Sequence, residues 1–446
     1  MARTFISFLG AISYQATRYY QQPDRSDLGD PMYYVQEAIL SAQGEPWGPD
    51  DKIWIFTTKE ARKTNYEGRL AGKSEVRPGE GLKSALQRLR QGGRIAHFKP
   101  VDIPNGYSTE EMWTVFERVF EKLRPGDELH LDVTFGFRSL PMLATILVNY
   151  ARTLKQIRVK AIYYGVFEAG RQERIAENEN RKALGLPENS DPAESPIIDL
   201  NVFSELQDWT YAAQTFLDAG NSSALSRLTQ DKHPGFSAGI LGFSQAILTC
   251  RGADLVQTED IDGLKKQIGE LGQDSGLQAQ LRPLLEKVGE KIGPFRSGTL
   301  QNGFAAVQWC IDHGMVQQGI TFLQETVVSW VVESVVGRSE LNNPVYRFAA
   351  NGALNLALSA DKTLQVHKED IKSLGMEESE IRTSYQKMCD LVTPALSRKY
   401  KNLTGHKGFR NDINHCGFRD APLSPAKLKE NLERLFTQIK PLLHVD

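Results

Sequence analysis

The feature that most limits what this chain can fold into is a regular alternation of short apolar runs and amphipathic stretches over its first 170 residues. Phe5 to Leu9, Lys52 to Phe56, Arg94 to Val101, Glu128 to Val133 and Val159 to Phe167 are rich in β-branched and aromatic residues, as strands are. Helical patterns lie between them at Tyr34 to Ser41, Gly81 to Arg90, Thr109 to Leu123 and Leu140 to Leu154. The order βαβαβαβαβ predicts a mostly parallel sheet covered on both faces, because parallel strands need crossover connections and those are usually helices. Ligands of such sheets sit beyond the carboxyl ends of the strands. Gly10 and the segment opening at Asp132 both fall at that edge.

After Phe167 the pattern changes. Arg171 to Arg181 is strongly charged, and Leu186 to Pro196 carries three prolines among Glu, Asn, Ser and Asp, which reads as a solvent-exposed connection. From Leu200 onward the chain reads as helical, with apolar faces in Leu206 to Leu217, Ile240 to Leu248 and Leu277 to Val288. The strongest segment, Gly319 to Val336, spaces Ile320, Leu323, Val327, Trp330 and Val331 as one helix face. At 446 residues the chain exceeds one ordinary core. The expected fold class is α/β followed by all-α: a Rossmann-like sheet domain over 1–170, a charged connection and helical connector over 171–304, and a helical domain over 305–446.

Composition narrows the function. A formal net charge of -2 argues against bulk nonspecific nucleic-acid binding, though it permits a local basic patch. Cys250, Cys310, Cys389 and Cys416 form no C-x-x-C pair, which makes a zinc ribbon or disulfide framework an unfavoured reading and fits a reducing compartment. The apolar run after Met1 is too short for a signal peptide or membrane span, so a cytoplasmic protein without membrane association is expected. No His, Cys, Asp and Glu spacing suggests a metal site.

Two polar clusters carry chemistry. The first is Asp132-Val133-Thr134-Phe135-Gly136-Phe137-Arg138-Ser139, on a strand-to-helix turn. Thr134 and Ser139 offer hydroxyl donors, Gly136 permits close backbone approach, and Arg138 supplies a guanidinium for an anion. Asp132 can accept from a sugar hydroxyl or hold the loop through backbone amides. Gly10, Ser13 and Tyr14 follow the first strand, with Ser13 suited to phosphate and Tyr14 to stacking on a base. Thr57 and Lys59 follow the second strand. The plain alternative makes Asp132 and Thr134 a turn or helix cap. Neither G-x-G-x-x-G nor G-x-x-x-x-G-K-[ST] occurs, so dinucleotide or triphosphate chemistry has no motif behind it.

The second cluster is Gly408-Phe409-Arg410-Asn411-Asp412-Ile413-Asn414-His415-Cys416. On a helix Asn411 shares a face with His415 and Arg410 with Asn414, while Arg410 and His415 stand about 140° apart around the axis. RNA carries its own nucleophile in the 2'-hydroxyl. A protein therefore need supply only orientation, proton transfer and charge stabilisation. His415 suits general acid or base work, Arg410 suits phosphoryl oxygens, and Asn411 or Asn414 can fix either. Two copies about a two-fold axis would pair these residues in one cleft. The competing reading leaves Arg410 and Asp412 as surface charges and His415 as a packed or exposed histidine with a satisfied partner.

Taken together, these segments resemble CRISPR-associated ribonucleases that join a CRISPR-associated Rossmann-fold sensor domain to a HEPN effector domain. Phe5 to Gly10 with Tyr14 resembles the family's first strand and ligand loop, and Asp132 to Pro141 its signature strand-turn-helix. Arg410 to His415 matches the HEPN R-x4-6-H pattern with four intervening residues. The resemblance implies a homodimeric endoribonuclease of type III CRISPR defence that cleaves single-stranded RNA without a metal. Cyclic oligoadenylate is then its allosteric activator and no other cofactor is needed. Arg410 and His415 are implied to be catalytic, and Gly10, Thr134, Gly136 and Arg138 to lie near the activator. Phe135 departs from the pattern, since relatives often have His there. Glu325 falls where HEPN domains often keep an acidic residue; it is involved directly, or is a surface glutamate or an ion partner of Arg410. The rivals are a non-enzymatic nucleotide-responsive regulator and a sensor that degrades its own cyclic oligoadenylate.

Overall fold

A computed structural model describes residues 2–12, 14–21, 28–68, 81–136, 139–258, 260–271, 278–357, 359, 376–404, 409–418 and 420–443. The chain forms two compact units, Met1–Glu205 and Leu206–Asp446. The first is built on a seven-stranded sheet and the second is helical among its described residues, so the expected α/β followed by all-α class is borne out.

The sheet comprises β1 (Arg3–Leu9), β2 (Thr17–Gln21), β3 (Lys52–Thr57), β4 (Lys99–Asp102), β5 (Glu128–Asp132), β6 (Arg158–Gly165) and β7 (Ala193–Asp199), in the order β2-β7-β6-β5-β1-β3-β4. All neighbours are parallel except β6 and β7. Side chains alternate between faces along each strand. Phe5 and Leu9 of β1 join one core with Val35, Ile39 and Leu86 from the helices Val35–Ala42 and Leu82–Gln91. Ile6 and Phe8 join the other with Val115, Val119, Leu147 and Val148 from Thr109–Lys122 and Leu140–Lys155. Both faces are thus covered, as the near-continuous apolar strands require.

Three segments differ from the reading of the sequence. The strand expected over Arg94 to Val101 begins only at Lys99, because Ile95 is drawn into a separate bridge with Trp47. The segment Thr17–Gln21 forms a strand without strong alternation, since it is captured by β7. The stretch read as an exposed connection instead contains the helix Phe167–Ala183 and strand β7. Charge and proline made that stretch look solvated, but Gly170 lets the helix lie directly on the strand. A Cβ at Gly170 would collide with the Glu194 carbonyl and the Ser195 hydroxyl.

The second unit is organised around Val316–Val336, whose Ile320, Leu323, Val327, Val328, Val331 and Val332 are buried. Helix Gln301–Asp312 packs antiparallel along it, with Gly303 against Thr326 and Gly319 against the Cys310 Cβ. Phe216, Phe243, Phe295 and Trp309 form an aromatic cluster nearby, with Phe243 and Phe295 edge to face at 4.9 Å. No described helix is long and apolar enough to cross a membrane.

Gly170→Ala is expected to destabilise the first unit by about 1–3 kcal/mol, the usual cost of overpacking, because neither colliding partner is the far end of a flexible side chain. Urea unfolding of wild type and variant measures this.

Candidate functional sites

β1 and β5 lie side by side in the sheet; after β1 the chain first forms the edge strand β2 beside β7, then crosses to β3 and β4, and from β5 it builds to β6. The loops after β1 and β5 leave the carboxyl ends of these two adjacent parallel strands, the edge where open α/β sheets hold ligands. Asp132 ends β5 there and is fully buried. Its Oδ2 accepts from Ser7 Oγ at 2.6 Å, and its Oδ1 accepts from the Thr134 amide at 3.0 Å and Thr134 Oγ1 at 2.6 Å. Gln36 Nε2 donates to Ser7 Oγ at 3.0 Å, and the Gly165 amide donates to Thr134 Oγ1 at 2.8 Å. Four segments are tied together through one carboxylate. Burial holds its pKa above the ordinary value, partly offset by the bonds from Ser7 and Thr134.

On the β1 side, the Gly10 amide donates to the Tyr14 hydroxyl at 3.0 Å. Asn65 Nδ2 donates to the carbonyls of Gly10 at 2.7 Å and Ile12 at 2.8 Å. The Tyr14 ring is 5% exposed, edge-on to Phe135 at 4.6 Å and tilted against Tyr34 at 5.3 Å. Burial raises the Tyr14 pKa well above its usual value, so the phenol stays protonated. Gly136 has φ +149, and a Cβ there would meet Leu140 Cδ2 at 2.7 Å, so this turn requires glycine. Gly10, Tyr14, Asp132, Thr134 and Gly136 are thus brought to one edge. Thr57 is buried at the end of β3, and Lys59 is exposed in the short helix that follows. Ser13 and Arg138 lie outside the described residues. Sequence reasoning missed Ser7, Gln36, Asn65 and Gly165, whose roles come from distant segments and leave no local signal.

In the second unit the helix Phe409–Asn414 packs against Val316–Val336 and Pro394–Thr404, with Phe409 and Ile413 turned to the core. Asp412 is buried and Oδ2 accepts the Leu423 amide at 2.8 Å, which pins the following turn. The helix ends before His415, yet the His415 amide still donates to the Asn411 carbonyl at 3.1 Å. Cys416 at φ +52 and Gly417 at φ +72 then reverse the chain. His415 is left exposed at this reversal, while Arg410 and Asn411 are half-buried.

Behind this helix Tyr400 is fully buried and its hydroxyl donates to Asn351 Oδ1 at 2.7 Å. Burial raises its pKa, Glu325 adds to the rise, and the charges of Arg410 and Arg347 oppose it. The ion partner of Glu325 is Arg347, at 2.6 Å, rather than Arg410. Arg347 also donates to Ser329 Oγ at 2.9 Å and the Leu341 carbonyl at 2.8 Å. Glu325 thus orders helix packing. The described residues contain no group of three or more His, Cys, Asp or Glu placed to hold a metal ion.

No family model matches the chain. The CRISPR-associated protein MJ1674 of Methanocaldococcus jannaschii is 21% identical over 281 residues, which is 62% of this chain and 41% of that protein. The chain is thus a distant relative of a CRISPR-associated protein and spans less than half of that relative's length. Among solved structures, Enterococcus italicus Csm6 bound to cyclic hexa-2'-fluoro-hexa-dAMP is aligned over 99% of this chain and 94% of the other, at 11% identity and a TM-score of 0.44.

Asp132→Ala is expected to cost about 1–3 kcal/mol, because it strands the Ser7 and Thr134 donors in a buried site. Asp132→Asn keeps an acceptor and should cost less. The native carboxyl holds its proton to a higher pH than the unfolded one. Wild-type stability should therefore fall as pH rises from about 4 through the raised native pKa, and Asp132→Asn should flatten that fall. Urea unfolding from pH 4 to 8 reads both effects.

Proposed function

We propose that the chain is a cyclic oligoadenylate-activated, metal-independent endoribonuclease of CRISPR-associated defence that acts on single-stranded RNA as a homodimer. The observation that carries this reading is the pinned turn at Asp412. It exposes His415 to solvent one helical turn from a half-buried Arg410 and Asn411, in a chain related to a CRISPR-associated protein. The sensor is the glycine-bearing edge around Asp132, and the effector lies in the HEPN-like part, 305–446.

In the proposed reaction the RNA 2'-hydroxyl attacks the adjacent phosphorus and loses its proton, while the bond to the 5'-oxygen of the next nucleotide breaks and that oxygen gains a proton. His415 serves one of these transfers, and the partner copy's histidine is placed by two-fold symmetry to serve the other. Arg410 stabilises charge on the phosphorane and Asn411 orients the phosphate or imidazole. The products are a 2',3'-cyclic phosphate, or the 3'-phosphate formed from it, and a 5'-hydroxyl.

His415→Ala should lower single-turnover RNA cleavage by about 10²- to 10⁴-fold with fold and activator affinity intact. Near-wild-type turnover in a well-folded variant would remove His415 from the reaction. Cleavage should persist in EDTA, and a single 2'-deoxy substitution upstream of the cut phosphate should block it. Mass spectrometry of the fragments distinguishes this route from one leaving a 5'-phosphate. Labelled cyclic oligoadenylate in the same assay tests whether the sensor also degrades its activator.

A further inference from the structure

The reversal that follows Phe409–Asn414 is fastened by its own backbone. The Cys416 amide donates to the Ile413 carbonyl and the Gly417 amide to the Asp412 carbonyl, each at 2.9 Å. These paired bonds, with Cys416 in the left-handed region at φ +52, make a Schellman helix end. The Phe418 amide donates back to the His415 carbonyl at 2.9 Å. Phe418 is therefore held by the same turn as His415, three residues on, yet it is 90% exposed.

A single exposed apolar residue needs no explanation by itself. The surroundings give this one a use. Its neighbours along the chain, Asn414, His415, Cys416 and Asp420, are exposed and mostly polar. A protein partner requires a contiguous apolar patch, whereas a nucleobase requires one aromatic face beside charges for its phosphates. Such charges lie on the adjoining helix. Pro394–Thr404 packs against Phe409–Asn414 and carries Arg398, Lys399 and Lys401 with no acidic residue. Leu396, Tyr400 and Leu403 hold one side of that helix to the core. Arg398 is exposed on the opposite side, and the half-buried Lys401, three residues on, flanks it.

We infer that Phe418 stacks on the nucleobase beside the cut phosphate, and that Arg398 and Lys401 hold backbone phosphates farther along the same strand. This rests on the ribonuclease reading of Arg410 and His415. It makes Phe418 a positioning residue that touches the base and moves no proton. A ring reads the face of a base rather than its edge, so every base is accepted and the purines, with larger faces, are preferred.

Cleavage of short labelled single-stranded RNA by the full chain, with cyclic oligoadenylate present, tests this. Phe418→Ala should lower kcat/KM by about 10- to 100-fold, Phe418→Leu should fall nearly as far, and Phe418→Trp should stay near wild type. An abasic residue beside the cut should cost wild type a similar factor and cost Phe418→Ala almost nothing more, because ring and base act as one coupled pair. Arg398→Gln and Lys401→Gln should weaken binding of an RNA blocked by one 2'-deoxy residue at the cut, and flatten its salt dependence. Unchanged binding in both would overturn the path given to the strand. Equal abasic penalties in wild type and Phe418→Ala, or wild-type kinetics in Phe418→Ala, would overturn the stacking while leaving a His415-dependent nuclease in place. Loss of the dimer in Phe418→Ala, seen by sedimentation, would overturn it by placing the ring against a second copy. RNA left uncut by wild type, or cut normally by His415→Ala, would overturn the ribonuclease reading and this inference with it.

Discussion

Asp132 ends β5 with a fully buried carboxyl group, and the shape of the first unit's functional edge depends on how that group is satisfied. A buried carboxylate without partners would cost several kcal/mol or hold its proton. Here Ser7 from β1 and Thr134 from the following turn both donate to it. Gln36 holds Ser7, and Gly165 at the end of β6 holds Thr134. The network sets where β1, β5 and β6 end relative to each other, and so holds the starts of the loops that leave β1 and β5. Its members are occupied with one another.

The second unit solves a different problem. A helix of six residues has too few internal hydrogen bonds to hold itself, so Phe409–Asn414 depends on packing against Val316–Val336 and Pro394–Thr404. Phe409 and Ile413 supply the apolar contact, and Asp412 secures the turn by accepting from Leu423. Beneath it lies a polar layer of Glu325, Arg347, Tyr400 and Asn351, in which the charges are paired and the phenol is bonded.

The same physical theme runs through both units. Buried acidic groups are bonded, Asp132 in one and Asp412 in the other, and the half-exposed Glu325 is paired with Arg347. His415 is exposed at the chain reversal after Asn414.

The alternation of apolar runs in the first 170 residues was sufficient to read five of the strands and the helices between them, because burial on both faces imposes strand composition directly on the sequence. The strand-end position of Gly10 and Asp132 followed from the same alternation, whereas the Arg410 to His415 cluster was singled out by residue chemistry and the fold sets it on a short helix and the turn after it. Strand β7 was not legible, since its Pro196 and flanking charges resemble a linker and only the close approach at Gly170 reveals its packing. Tyr14 read as a free stacking surface because nothing local shows that its hydroxyl is taken by the Gly10 amide and its ring by Phe135. Glu325 read as a possible partner of Arg410, and the fold gave it Arg347. Patterns that repeat along the chain are written in the sequence because each position answers to the same layer. Pairings between distant single residues are decided by tertiary structure, which alone sets the distance between them.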